Sequence, residues 1–318
     1  MKNLPHSSGN ALESPGSLLS LEERLSFSMA ALLNALIVLF MQLGRAWDIF
    51  ALNLFIIALV PASALLHRRI PRQWIQFLRD WYVMPLLIIL YMENRRLVPL
   101  INPHDLDSLL ISIDRFLFFG HDPTVLLEGI TSPFLSEILQ VSYTTFYFLP
   151  ASLCVILYLR GPRMDFHINA STILMGFYLS YIGYYLTPAI GPRFTLDHLQ
   201  TFSLSGVFLF DFIRDMLARA EGLMRDCCPS GHAMISLLTV GLARRYVRRF
   251  FPIACIWASL IVFSTVYLRY HYVIDLIAGL FLGLVVYRYG PGIAESLIVR
   301  NRCSTEDAGV IALGQEDS

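Results

Sequence analysis

The 318-residue chain is 56% hydrophobic and only 15% charged, and its 24 basic and 24 acidic side chains balance to zero. Its apolar residues gather into runs too long for the core of a soluble domain, which excludes an ordinary globular enzyme and points to a bilayer as the solvent. The basic residues are scattered through short loops instead of forming one face, so no nucleic-acid partner is expected.

Residues 1–26 are polar, with Pro5, Pro15 and several serines, and lack an apolar stretch before a small-residue cleavage site; they read as a cytoplasmic segment with no cleaved signal. A membrane helix needs roughly 17–25 mainly apolar residues. Eight runs approach that size, at 27–44, 49–66, 82–98, 134–159, 169–187, 230–246, 250–268 and 273–289. The expected fold is therefore all-α, a polytopic membrane bundle of about eight transmembrane helices. Residues 27–98 would form N-terminal spans, 99–133 an extracytoplasmic segment, 134–289 a catalytic core and 290–318 a cytoplasmic tail, disordered from about Cys303.

With the amino terminus inside, 15 of the 24 basic residues fall on the cytoplasmic side, most clearly in the Arg244 to Arg249 hairpin. The protein is thus expected in the cell (inner) membrane, with its longer loops outside. In 99–133, Leu109, Leu110, Ile113, Phe116 and Leu117 recur at helical spacing with Asp107, Asp114 and Arg115 between them, which predicts a helix lying on the membrane surface. A second amphipathic stretch runs from Phe212 to Asp226. Cys154 and Cys255 sit in apolar runs, Cys227 and Cys228 are adjacent and Cys303 is in the tail, a pattern that is neither a disulfide framework nor a zinc spacing.

Three polar elements converge on the outer face: "YYLTPAIGPRF" ending the fifth run, "CCPSGHAM" opening the sixth, and "STVYLRYHYVIDLIAG" between the seventh and eighth. The chain crosses the membrane twice between His232 and His271, so the two histidines finish at similar depth. His271 and Asp275 are four apart, the spacing at which a helix lets a carboxylate accept a hydrogen bond from an imidazole. A histidine so prepared can attack phosphorus if an acid protonates the departing oxygen and cations hold the phosphate. His232 is the candidate acid and Arg193 a candidate cation, while Ser230 and Gly231 at a helix start offer free amides to an anion. Alone, each feature reads as structural: an interfacial histidine, a snorkelling arginine, a Pro-Ser helix start. Their convergence on one face outweighs those readings.

At these residues the chain resembles the type-2 phosphatidic acid phosphatase superfamily. The likeness covers about residues 180–285 and is strongest at "PSGH" (229–232) and "HYVIDLIAG" (271–279). It implies a six-helix core, His271 as nucleophile, Asp275 as its orienting partner, His232 as leaving-group acid, Ser230 and Gly231 as phosphate ligands, and no metal or other cofactor. Where the family has a lysine seven residues before an Arg-Pro pair, this chain has Leu186, then Arg193 followed by Phe194. Ser264 and Thr265 replace a family Ser-Arg pair, leaving Arg269 as the substitute phosphate ligand. The stretch "DRFLFFGHDP" at 114–123 resembles inositol phosphorylceramide synthases and sphingomyelin synthase-like proteins. The expected function is a membrane lipid-phosphate phosphatase acting through a phosphohistidine at the extracytoplasmic surface, with a lipid phosphate as substrate and membrane lipids as surroundings. The alternatives are transfer of a phospho-headgroup to a lipid hydroxyl and a non-catalytic lipid-binding or transport protein.

Overall fold

The computed structural model describes residues 18–222 and 224–316, with side chains as far as Arg300. The described residues are mostly helical and contain no strand. The helices are α1 (Leu21–Leu39), α2 (Leu43–Arg69), α3 (Gln73–Trp81), α4 (Val83–Ile101), α5 (Asp107–Leu117), α6 (Pro123–Leu126), α7 (Pro133–Thr144), α8 (Phe148–Arg160), α9 (Arg163–Leu186), α10 (Pro192–Thr195), α11 (Phe210–Glu221), α12 (Gly231–Tyr246), α13 (Phe251–Tyr267) and α14 (Val273–Glu316). The chain is a multi-pass, all-α membrane protein.

Each of the eight apolar runs corresponds to a helix, α7 and α8 together making one. Length and apolar composition by themselves qualify three spans, Leu43–Arg69, Gln73–Ile101 and Val273–Arg300, or four if the pair α7–α8, bent by 49°, is a single broken span. The others are short, as α12 and α13 are, or diluted by polar residues, as α1 and α9 are.

Two helix ends differ from expectation. The first helix starts at Leu21, because Ser20 forms a capping box: its hydroxyl accepts from the Glu23 amide (3.2 Å) and its amide donates to the Glu23 carboxylate (2.7 Å). Glu22 and Glu23 are buried, paired with His167 (3.1 Å) and Arg79 (2.6 Å). The eighth, expected over 273–289 with a tail disordered from about Cys303, continues as helix to Glu316, since extending an existing helix needs no new nucleus.

The centre of the bundle is α12, which packs on α14, α13, α9 and α8. Glycines let its neighbours approach to backbone distance. A Cβ at Gly279 of α14 would lie 2.3 Å from the Ser230 carbonyl oxygen, and one at Gly283 would lie 2.9 Å from the Met234 carbonyl oxygen. On α9, Gly183 faces the Pro229 ring and Gly176 faces Ile235 and Leu238. Small residues set the spacing here because lipid supplies little hydrophobic drive between helices. Gly279→Ala should therefore overpack the α12–α14 contact by about 1–3 kcal/mol. In detergent its unfolding midpoint falls, whereas Gly292→Ala, which meets nothing within 4 Å, leaves the midpoint unchanged; equal midpoints would refute the close approach.

Candidate active site

His271 does not lie on a helix. It sits in the turn between α13 and α14, after Arg269, whose φ of 66° is left-handed. The amides of Tyr270 and His271 both return to the Thr265 carbonyl (2.8 and 3.1 Å), a helix-ending turn that usually takes glycine. Arg269 is held there by its own side chain, which donates to Glu128 (2.8 Å), Gln200 (2.7 Å) and the Phe202 carbonyl (2.9 Å).

The other side of this turn is fixed by α5, the helix expected from the 99–133 segment. Asp107, Leu110 and Asp114 point inward, while Phe116 and, beyond the helix end, Phe119 are 84% and 93% exposed. Asp114 accepts from the Val273 and Ile274 amides (both 2.8 Å), capping the first turn of α14. Asp107 accepts from the Ile190 and Gly191 amides (2.9 and 2.8 Å) and from the Tyr272 hydroxyl (2.8 Å). The carboxylates face protein because loop amides need acceptors, and the rings are left on the outer surface. Sequence reasoning missed both aspartates as site supports; their i, i+7 spacing on one face with Leu110 was the available signal.

The two histidines meet. His271 Nε2 lies 3.4 Å from His232 Nδ1, and the rings cross edge-to-face at 5.5 Å. His271 Nδ1 lies 2.8 Å from the Cys227 carbonyl oxygen, an acceptor, so this nitrogen carries the proton and Nε2 keeps its lone pair. The expected hydrogen bond from Asp275 is displaced: its Oδ2 is 3.6 Å from Nδ1 and instead accepts from the Tyr272 amide (2.9 Å) and the Cys227 thiol (2.7 Å). Helical i, i+4 geometry fails because α14 begins only at Val273. Burial, reinforced by the Asp275 carboxylate, pushes the Cys227 thiol well up, so it stays a donor.

His232 packs against Tyr143 (4.5 Å, stacked), in the last turn of α7, and Phe146 (4.3 Å), in the bend between α7 and α8. Tyr143 also stacks on Tyr270 (4.4 Å), and the Arg193 guanidinium lies over the far partner, 5.6 Å from the Tyr270 ring centre. Arg193 makes ring contacts but no ion pair among the described residues. Arg269 is the contrary case: its terminal nitrogens donate to Glu128 and to the 200–202 loop, so in this structure its side chain clasps that loop. Burial also lowers its pKa, against the pull of Glu128. Ser230 is buried as the N-cap of α12, its hydroxyl accepting from the Ala233 amide (3.3 Å) and its amide donating to the Asp275 carbonyl (3.0 Å). A Cβ at Gly231 would lie 2.9 Å from the Tyr184 hydroxyl. A separate groove of about 790 Å³ between α2 and α4, lined by Arg45, Glu93, Arg95 and Arg96 among others, includes none of these residues.

Fold and site together define a polytopic helical membrane protein with a paired-histidine centre at the starts of two packed helices. The family model of the PAP2 superfamily matches residues 108–289, more than half of the chain, and the chain belongs to that superfamily. Membership carries phosphatase- or phosphotransferase-type chemistry on lipid phosphates. No curated protein and no solved structure matches the chain. The match begins within α5, so the helix that caps α14 falls inside it while α1 to α4 fall outside.

The two arginines should separate in experiment. Arg193→Ala lowers kcat/KM on a phosphate ester by roughly ten- to a hundred-fold, the loss of one charged contact, with an unchanged unfolding midpoint. Arg269→Ala lowers the midpoint by several degrees, because it leaves Glu128 uncompensated. Arg193→Ala at full activity would remove that residue from the site.

Proposed function

We propose that the protein hydrolyses lipid phosphate esters through a phosphohistidine on His271. The observation that carries this reading is the contact between His271 Nε2 and His232 Nδ1, with the opposite nitrogen of His271 held by the Cys227 carbonyl. Nε2 attacks phosphorus, the P–O bond to the lipid breaks, and His232 gives its proton to the departing oxygen. Water then attacks the phosphohistidine in line, His232 takes its proton, and inorganic phosphate leaves. Arg193 and the free amides at the start of α12 hold the phosphoryl oxygens. A gap of 3.4 Å between the two nitrogens admits no phosphate, so the two rings must separate as substrate enters.

The lipid enters sideways, over a rim formed by α5, α11 and the loop residues next to them, where exposed Phe116, Phe119, Phe208 and Phe212 suit acyl chains. The site faces the extracytoplasmic side of the cell membrane, as the distribution of basic residues supports. Transfer to a lipid hydroxyl differs only in which acceptor attacks the phosphohistidine.

The test is a phosphate-release assay on purified protein with labelled lipid phosphate. His271→Ala removes activity and the acid-labile phosphoenzyme. His232→Ala loses far more on alkyl phosphates than on activated aryl phosphates, because only the former need a proton on the leaving oxygen. Unchanged turnover in His271→Ala would sink the assignment. A new phospholipid formed at the expense of phosphate, when diacylglycerol or ceramide is added, would replace hydrolysis by transfer. For orientation, single cysteines in 188–222 of a cysteine-free background should react with an impermeant reagent in intact cells, and ones near Arg248 should not; the reverse pattern moves the site to the cytoplasm.

A further inference from the structure

The proposed chemistry uses His271 at Nε2, yet the opposite nitrogen belongs to a second set of donor atoms. Cys227 Sγ, His271 Nδ1 and Asp275 Oδ2 form a buried triangle with edges of 3.5 Å (Sγ to Nδ1), 2.7 Å (Sγ to Oδ2) and 3.6 Å (Nδ1 to Oδ2). Thiolate, imidazole and carboxylate are the donors that zinc takes. The second Asp275 oxygen, Oδ1, is buried with no hydrogen-bond partner, so it is available to complete four donor atoms. Two of these residues lie 44 positions apart, which is why no zinc spacing is visible in the sequence.

We propose that this triangle is an inhibitory zinc site that acts by changing the tautomer of His271. Zinc displaces the Cys227 thiol proton, which leaves to solvent, and the thiolate and carboxylate charges neutralise the ion. The short contact between Sγ and Oδ2 is at present a hydrogen bond; it lengthens as the proton departs and the metal enters. Zinc takes the lone pair at His271 Nδ1, so the ring proton moves from Nδ1 to Nε2 and the bond to the Cys227 carbonyl is lost. Nε2 then carries a proton and cannot attack phosphorus. The ion leaves the phosphate pocket open and disables the nucleophile from behind. The inhibition rests on His271 being the nucleophile; the binding does not.

The experiment titrates chelator-treated protein in detergent with Co²⁺ as a spectroscopic probe, then with Zn²⁺ in competition. One cobalt should bind with a thiolate-to-metal charge-transfer band, zinc should displace it, and one proton should be released per zinc bound. Turnover should fall over the same zinc range and return with chelator. Cys227→Ser should lose the band and need at least about ten-fold more zinc to halve its own zinc-free rate, since even outer-shell changes weaken metal sites by that much. Cys255→Ser, on α13, should keep both properties. The cobalt spectrum of the unmodified protein decides the question even if Cys227→Ser folds poorly. Cobalt bound without a thiolate band, or a band that survives Cys227→Ser, would overturn the site. Zinc bound at full turnover would uphold the site and instead overturn the nucleophilic role of His271.

Discussion

The first turns of α12 and α14 approach to backbone distance, and the geometry of the histidine pair depends on that contact. The Ser230 amide donates to the Asp275 carbonyl at 3.0 Å, and Gly279 lies against the Ser230 carbonyl where no side chain fits. Both helices therefore begin at the same depth. His232 is the second residue of α12 and His271 stands two residues before α14, so locking the starts together brings the imidazoles into contact. Glycine pairs in membrane helices exist to allow such an approach.

A second constraint concerns amides that helices and turns leave without partners. The turn from Arg269 to Tyr272 and the loop at 188–191 carry several such donors near the bilayer, where an unsatisfied amide costs several kcal/mol. The carboxylates of α5 answer them: Asp114 at the start of α14, Asp107 at Ile190, Gly191 and the Tyr272 hydroxyl. This explains why α5 turns charge inward and phenylalanine outward, the reverse of a helix resting on a soluble core. The burial that makes the carboxylates good acceptors also pushes the Tyr272 hydroxyl upward, so it remains a donor.

The same environment shapes reactivity. Tyr143 and Phe146 pack against His232, Tyr270 stacks on Tyr143, and His271 is buried, so electrostatic contacts there are weakly screened. Asp275 is fully buried and 3.6 Å from His271 Nδ1, and its hydrogen-bonding capacity serves Tyr272 and Cys227. Keeping Asp275 off the ring leaves Cys227 as the residue that sets the His271 tautomer, through its carbonyl. The adjacent thiol makes the same position sensitive to soft metals.

Much of this was legible in the chain. Runs of apolar residues specified an all-helical membrane bundle because backbone groups in lipid must be satisfied within helices. "PSGH" and "HYVIDLIAG" specified which residues would meet, since helix crossings return the chain to one face. Helix ends were less legible: capping by Ser20 and Glu23 and propagation beyond Cys303 depend on a local balance that periodicity does not report. The partners within the site were decided only by tertiary structure. Spacing assigned Asp275 to the His271 ring, but a helix that starts at Val273 turned its carboxylate to Tyr272 and Cys227, and Arg269, a substitute phosphate ligand by resemblance, pairs with Glu128 across the loop. Asp107, Asp114 and the Cys227 carbonyl act over long stretches of chain, and a sequence pattern records neither the distance between remote residues nor the direction in which a carboxylate points.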